Sequence, residues 1–589
     1  MAAVFAVGID LGTTHTALGA VALDDDAAVP AVFAVPQVVA ANEVQARSLL
    51  PSFLYVPTSS EVAAGAVALP WDTTRTFAVG AFARDRAAAV PGRVISSAKS
   101  WLSHAGVDRR AAILPFGTAD DDVPHLSPVE VQTRLLAHVR DAWDAAHPTA
   151  PLAEQQVVLT VPASFDVVAK SLTEEAAVAA GLRNVVLLEE PQAALYAWIA
   201  RHADASPSPW RKQVGPGDLI LVVDIGGGTT DFSVIAVADD AGSLGLERVA
   251  VGEHILLGGD NMDLALAYAV KERLEADGRT IDDWQLRALT HSCRSAKEQL
   301  LQDAALTEAT VVIPGRGSKL VGGSIKSTIT REQLTAIVVD GFLPIVDAAA
   351  RPQQARRAGL STLGLPWAAD AAITRHLAAF LAGKKPTAVL FNGGVSRSEV
   401  VRARVLDVMA SWWGAAPRVL DGADLDLAVA TGAASYARVR ASKRGLRIKG
   451  GTARAYYVGI EKSELAVPGI APRVDAVCIA PKGMEEGSEA ALLSSLGLLV
   501  GEPAVFRFFS STVRETDTVG SSVDVARAKD QLVELSPIET TLSSSRSGDG
   551  TVVAVTLRSR VTETGTLEVF AHEAATSTSH KLEFQIRDH

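Results

Sequence analysis

Asp10 and Asp224 each stand at the end of an apolar run, and each is followed by glycine and a Thr-Thr pair. Residues 4–21 read VFAVGIDLGTTHTALGAV, and residues 219–237 read LILVVDIGGGTTDFSVIAV. Each predicts a buried strand, a carboxylate, a glycine turn and a second apolar strand. Backbone N–H groups curled round such a turn form a nest for an anion such as phosphate. The flanking acids would repel a phosphate unless a divalent cation lay between them, and magnesium suits carboxylate, water and phosphate oxygens. Alone, one glycine hairpin reads more readily as a plain turn. Its recurrence suggests two similar lobes facing one nucleotide. A third glycine turn follows an apolar run in AVLFNGGVSRSE, residues 388–399.

Two further residues could take part in chemistry. Glu190 follows the apolar run 185–188 and precedes a helical pattern. A carboxylate at the end of a buried strand is well placed at a cleft, so Glu190 is the candidate general base. The alternative is a charge that compensates a helix dipole. Lys99, in RVISSAKSWLSH (93–104), reads on its own as a solvated helix lysine.

The elements that must hold these residues are legible in part. Ser127, Pro128 and Glu130 mark a helix start at the head of 127–146. A strand is expected at 157–162, then a helix capped by Asp166 and ended by Gly181. Further helices are expected from Gln192, from Asp260 after a Gly-Gly turn, and over 282–302, 331–350, part of 351–382, 400–412 and 424–437, with Asp426 near the start of the last. Residues 24–90 read as short strands and loops, and Gly315, Arg316 and Gly317 as a loop. From about 440 the texture changes. Residues 441–454 are basic and glycine-bearing, as a linker would be. Beyond them the period shifts to two, in KLEFQI (581–586) and in VTETGTLEVF (561–570) with its Thr-Gly turn, while 543–550 is a polar loop. This predicts an all-β module.

A chain of 589 residues, 48% hydrophobic and 21% charged, has room for several globular units. Its net charge of −12 argues against nucleic acid or an anionic membrane as the main partner. Cys293 and Cys478 form neither a zinc spacing nor a disulfide framework, which fits a reducing cytosol. Neither a signal peptide nor a membrane span is read, and a cytoplasmic location is expected. HEAAT at 572–576 lacks the second histidine of a zinc protease.

Six ordered motifs together resemble the seventy-kilodalton heat-shock (DnaK-type) chaperones: GIDLGTT (8–14), LTVPASF (159–165), EEPQAAL (189–195), DIGGGTTD (224–231), LGGDNMD (257–263) and NGGVSR (392–397). The resemblance implies an α/β fold of duplicated actin-like (ribonuclease H-like) ATPase lobes at 1–440, a linker at 441–455, and a C-terminal all-β, sandwich-like substrate domain at 456–589. It implies ATP/ADP and Mg as cofactors. Asp10 and Asp224 would hold magnesium through water, and Asp426 would support its shell. Thr13, Thr14 and Thr229 would bind β- and γ-phosphates, with Gly12, Gly226, Gly227, Gly228, Gly258, Gly259, Gly393 and Gly394 lining the cradle. Lys99 would orient the attacked phosphate. Glu190 and Asp231 would position or activate water, Lys297 would touch ribose, and Arg397 would stack on adenine. Pro162 and Lys170 match a proline switch and its basic partner. The implied partners are unfolded or extended polypeptides, a J-domain co-chaperone and a nucleotide-exchange factor.

The chain also departs from the family pattern. Arg294 stands where an acid is usual, Glu298 where a basic or apolar residue is usual, and Leu301 replaces a small hydroxyl residue. Residues from about 351 to 385 read as an insertion, and the linker is basic where the family's is leucine-rich and acidic. No helical lid is read after the β-module, so peptide exchange is expected to be fast. Three other classes share the motifs: a sugar-kinase-type phosphotransferase, a polymerising actin relative, and a nucleotide-dependent scaffold.

Overall fold

The Asp10 segment folds as two strands, Phe5–Leu11 and His15–Ala22, paired antiparallel around the turn at Gly12. The Asp224 segment repeats this with Leu219–Ile225 and Thr230–Asp240, which places Asp224 opposite Asp231. Each hairpin is extended in the same way. In one sheet the order is Val185–Glu189, Gln156–Val161, Phe5–Leu11, His15–Ala22, Ala31–Phe33. In the other it is Arg418–Val419, Ala388–Asn392, Leu219–Ile225, Thr230–Asp240, Ser243–Val251. The first three strands of each order run parallel, and the hairpin turns the fourth antiparallel. Strands buried on both faces need unbroken apolar runs, which is why 219–223 shows no alternation.

A computed structural model supplies this architecture. It describes residues 3–25, 27–58, 61–104, 106–118, 123–202, 210–240, 243–315, 324–353, 365, 367–422, 424–442, 448–450, 452, 454–462, 473–484, 487–499, 503–511, 513–514, 516–541, 551–562, 567–573 and 578–582. The chain divides into two compact units, Met1–Leu246 with Ala250–Arg447, and Glu247–Val249 with Ile448–His589.

In the first unit, Val167–Ala179 and Glu190–Arg201 follow parallel strands of the first sheet, Glu399–Trp413 follows Ala388–Asn392 of the second, and Ala428–Ser442 packs on Phe5–Leu11, His15–Ala22 and Gln156–Val161 of the first. One apolar core gathers Val7, Ile9, Leu135, Trp143, Leu159 and Leu172, and a second gathers Leu221, Val223, Phe232, Leu266, Leu289 and Val401. The helices Glu190–Arg201 and Ala428–Ser442 pack on each other. Small residues let their backbones approach: a methyl on Gly432 would overlap the carbonyl of Ala193.

Local signals place two of the helix starts read from the sequence. Ser127 caps Pro128–Ala146 in a reciprocal box with Glu130, and the Asp166 carboxylate accepts from Ala169 N at 2.6 Å. Several expectations are corrected. Residues 24–90 include a helix, Ala81–Ala87. The helix expected from Gln192 begins at Glu190, whose carboxylate therefore sits in the first turn. The helix expected over 331–350 is Arg331–Leu334 followed by a π-helical Thr335–Asp340, and Pro344 stands just beyond, where its ring and missing N–H oppose helix. Asp426 precedes its helix, in a turn where the Asp424 side chain accepts from Asp426 N at 3.1 Å.

Among its described residues, the second unit's regular structure is all β. One sheet has the order Ser522–Asp524, Val474–Ala480, Ala455–Glu461, Pro503–Ser511, Val533–Thr541, and the other Glu489–Leu499, Val552–Val561, Leu567–Glu573, Thr578–Leu582. Val458, Ile479 and Phe508 of the first share a core with Val555, Leu557 and Val569 of the second. Arg316 and Gly317, residues 354–364 and 366, residues 443–447, the polar loop 543–550, the turn 563–566 and residues 583–586 lie outside the described residues. Among the described residues, no helix is long and apolar enough to cross a membrane.

Candidate functional site

The two hairpin turns and the third glycine turn face one cavity. Asp10, Gly12, Thr13, Lys99, Glu190, Asp224, Gly226, Gly227, Thr229, Gly393, Gly394 and Asp426 all line it. Lys99 rides on the short helix Ala98–Trp101, entered through Ser97 in the left-handed region at φ 53°. Its side chain is only 5% exposed, and its ammonium lies 2.5 Å from the Glu190 carboxylate. Lys99 is therefore not a solvated lysine. Gly393 stands at φ 85°, and a methyl there would overlap Asp224 Oδ1 and the Ile225 carbonyl.

The acids are crowded and dry. Burial, reinforced by Glu190 and partly offset by Lys99, pushes the Asp10 carboxyl up to about 7. Burial and then Glu190 hold Asp224 well above the usual carboxylate range, although Asn392 Nδ2 donates to its Oδ2 at 2.6 Å. Burial also raises Asp426, whose Oδ2 pairs with Arg397 Nη1 at 2.8 Å. Thr160 Oγ1 donates to Asp10 Oδ1 at 3.3 Å.

A second pocket adjoins the first through Gly227 and Gly394. It is lined by Thr14, Gly259, Lys297, Glu298, Leu301 and Arg397, with Asp260, Asp263 and Arg294. Arg294 Nε lies 2.7 Å from Asp263 Oδ2, and its Nη2 pairs with Asp260. Lys297 Nζ lies 2.7 Å from Asp263 Oδ1 and donates to the Gly259 carbonyl at 3.0 Å. Two cations and two anions thus neutralise one another, so the unusual Arg294 is matched by acids on the facing helix Gly259–Ala276.

Asp231, Gly228 and Gly258 line neither pocket. Asp231 lies on the second strand of the hairpin, opposite Asp224, and Ser164 Oγ donates to it. A methyl on Gly228 would meet Thr13 and Ser100, and one on Gly258 would meet the backbone of Gly226 and Gly227. The sequence reading gave no role to Asn392, Asp260, Asp263, Ser164 or His254. Asn392 had a signal, since it ends a third buried strand in register with Asp224. His254 had none, being 90 residues from its partner Ser164. Among the described residues, no group of three or more His, Cys, Asp or Glu side chains is arranged to hold a metal directly.

A family model described as "Hsp70 protein" matches residues 70–352. The chain is similar to a chaperone protein HscA homolog of Bordetella pertussis, 29% identical over 451 residues, covering 75% of this chain and 59% of the relative. It is 29% identical over 345 residues to chaperone protein HscA of Pectobacterium carotovorum, covering 56% and 46%. It is 30% identical over 455 residues to an HscA homolog of Burkholderia orbicola, covering 75% and 59%. The chain thus spans roughly half to three-fifths of the length of these curated relatives.

Proposed function

We propose that this chain, which belongs to the Hsp70 family, binds MgATP and MgADP between the two hairpins of its first unit and hydrolyses ATP to ADP and phosphate. The observation that carries this reading is the convergence of Asp10, Asp224, Glu190 and Lys99 on one cavity walled by three glycine turns. The repeated sheet order supports duplicated actin-like lobes, and the shared core of the two later sheets supports a sandwich-like substrate domain.

The donor set fits magnesium. Asp10 and Asp224 are buried together, and burial first, then the charge of Glu190, raises both carboxyls, with the Lys99 ammonium only partly offsetting this at Asp10. A divalent cation would restore the balance and draw both into the ionised form. Asp10 and Asp224 would hold the ion through water, with Asp426 beside its shell. When bound, the ion neutralises charge on the phosphate oxygens. The backbone at Gly12, Gly226, Gly227, Gly393 and Gly394, with Thr13, Thr14 and Thr229, would cradle the phosphates. Lys99 would orient the transferred group, and Glu190, which anchors it, would position water together with Asp231. Lys297 would reach the ribose and Arg397 the face of adenine.

We assign the second unit to the binding of extended, unfolded polypeptide, captured through main-chain hydrogen bonds and apolar pockets. A J-domain co-chaperone and an exchange factor would act on the cycle. Calorimetry of the intact chain with MgADP, together with phosphate release from MgATP, tests the core of this reading. Saturable, magnesium-dependent heat and steady turnover are expected. Folded protein that shows neither would overturn it.

A further inference from the structure

Three residues from separate segments meet at the second strand of the Asp224 hairpin. His254 Nδ1 lies 2.7 Å from Ser164 Oγ, Ser164 Oγ in turn bonds Asp231 Oδ1, and His254 Nδ1 is 3.8 Å from that same oxygen. We infer that Ser164 and His254 are positioning residues for Asp231, forming a relay that fixes its carboxylate for the hydrolytic step.

The direction of the relay follows from what each group can do. An ionised carboxylate only accepts, so the Ser164 proton points to Asp231. The serine oxygen then accepts from His254, which must carry its proton on Nδ1. Nε2 is buried with no hydrogen-bond partner among the described residues, and no bond described there selects the other tautomer. The relay commits Oδ1 of Asp231 and leaves Oδ2 as the oxygen available to a water.

The histidine is held at the same address as the acid it serves. Thr230 N donates to the Ile255 carbonyl at 3.0 Å, Thr230 Oγ1 donates to the Leu257 carbonyl at 2.8 Å, and Gly252 N donates to the Phe232 carbonyl at 2.8 Å. The residues on either side of Asp231 therefore pin the loop on either side of His254. Phe165 packs edge-on against the imidazole, with ring centroids 5.5 Å apart, and Lys99 Nζ lies 5.9 Å from the same phenyl ring.

Ser164 comes from the loop after Gln156–Val161, a strand of one sheet, whereas Asp231 lies on a strand of the other and His254 in the loop after Ser243–Val251. The relay therefore joins the two sheets, with Ser164 supplied by one and Asp231 by the other. This proposal rests on the ATPase reading of Asp231.

The test compares the unmodified chain with His254→Phe, His254→Asn and Ser164→Ala. His254→Phe and Ser164→Ala are expected to lower kcat for MgATP about tenfold, with KM changed by less than about twofold. His254→Asn, whose amide N–H can stand in for Nδ1–H, should recover most of that loss. In proton NMR of the full chain, a downfield imidazole N–H resonance should vanish in both His254→Phe and Ser164→Ala. Turnover in His254→Phe equal to the unmodified chain, an Asn variant as slow as Phe, or a resonance indifferent to Ser164→Ala would each overturn the relay and leave the ATPase reading standing. An unmodified chain with no turnover would overturn both.

Discussion

Lys99 and Glu190 form a buried ion pair, 2.5 Å from Nζ to Oε1, that joins the short helix Ala98–Trp101 to the first turn of Glu190–Arg201. Lys99 is the only Lys or Arg side chain, among the described residues that line this cavity, to oppose a cluster of Glu190, Asp10 and Asp224. Removing Lys99 leaves these acids unopposed as well as depriving a phosphate of its cation. Lys99→Ala is expected to lower ATP turnover by about a hundredfold or more while the fold survives, and Asp224→Asn to do the same. Phosphate-release kinetics alongside circular dichroism check both.

The raised carboxyls predict proton release on binding. Asp10, held up to about 7 by burial and Glu190, must ionise when a magnesium nucleotide arrives. Near pH 6.5 Asp10 should release somewhat under one proton on binding, with Asp224 acting in the same direction, and the release from Asp10 should fall away by about pH 8.5. Affinity should accordingly weaken as pH falls across this range. Titration calorimetry in two buffers of different ionisation enthalpy counts the protons.

His138 predicts a limit on acid stability. Burial holds its imidazole down to about 3, from 6.5, and its Nε2 lies 3.0 Å from the Pro36 carbonyl. As pH falls through 6.5 the unfolded chain takes up a proton that the folded chain refuses, so stability is full above that pH and is lost below it. His15 and His291, each lowered to about 4 chiefly by burial, act in the same direction. Between about pH 7 and pH 5 His138 alone should account for about 2 kcal/mol. Urea unfolding at the two pH values, in the parent chain and in His138→Asn, should show a smaller loss in the variant.

Gly432 predicts a packing limit. A methyl there meets the Ala193 carbonyl, backbone that cannot rotate aside. Gly432→Ala should destabilise the first unit by about 1–3 kcal/mol, read as a lower melting temperature.

The helix starts at Ser127 and Asp166 could be read because capping acts over three residues. The strand ends at Asp10, Asp224 and Asn392 could be read because a buried parallel strand is an apolar run stopped by its first polar residue. The shortened helix after Arg331 could not be placed from apolar periodicity, which runs on past the point where Pro344 forbids helix. Nor could the partners of Arg294, because Asp260 and Asp263 lie more than thirty residues earlier on another helix.

Spacing along the chain, then, singled out the candidates for phosphate chemistry: a carboxylate, glycines and threonines recur at two strand turns. Tertiary structure decided how those residues are charged and held. Lys99 became a buried ion-pair partner, Asp10 a carboxyl near neutrality, and Asp231 an acid reached by Ser164 and His254, because burial and charge depend on what the other strands and helices bring alongside.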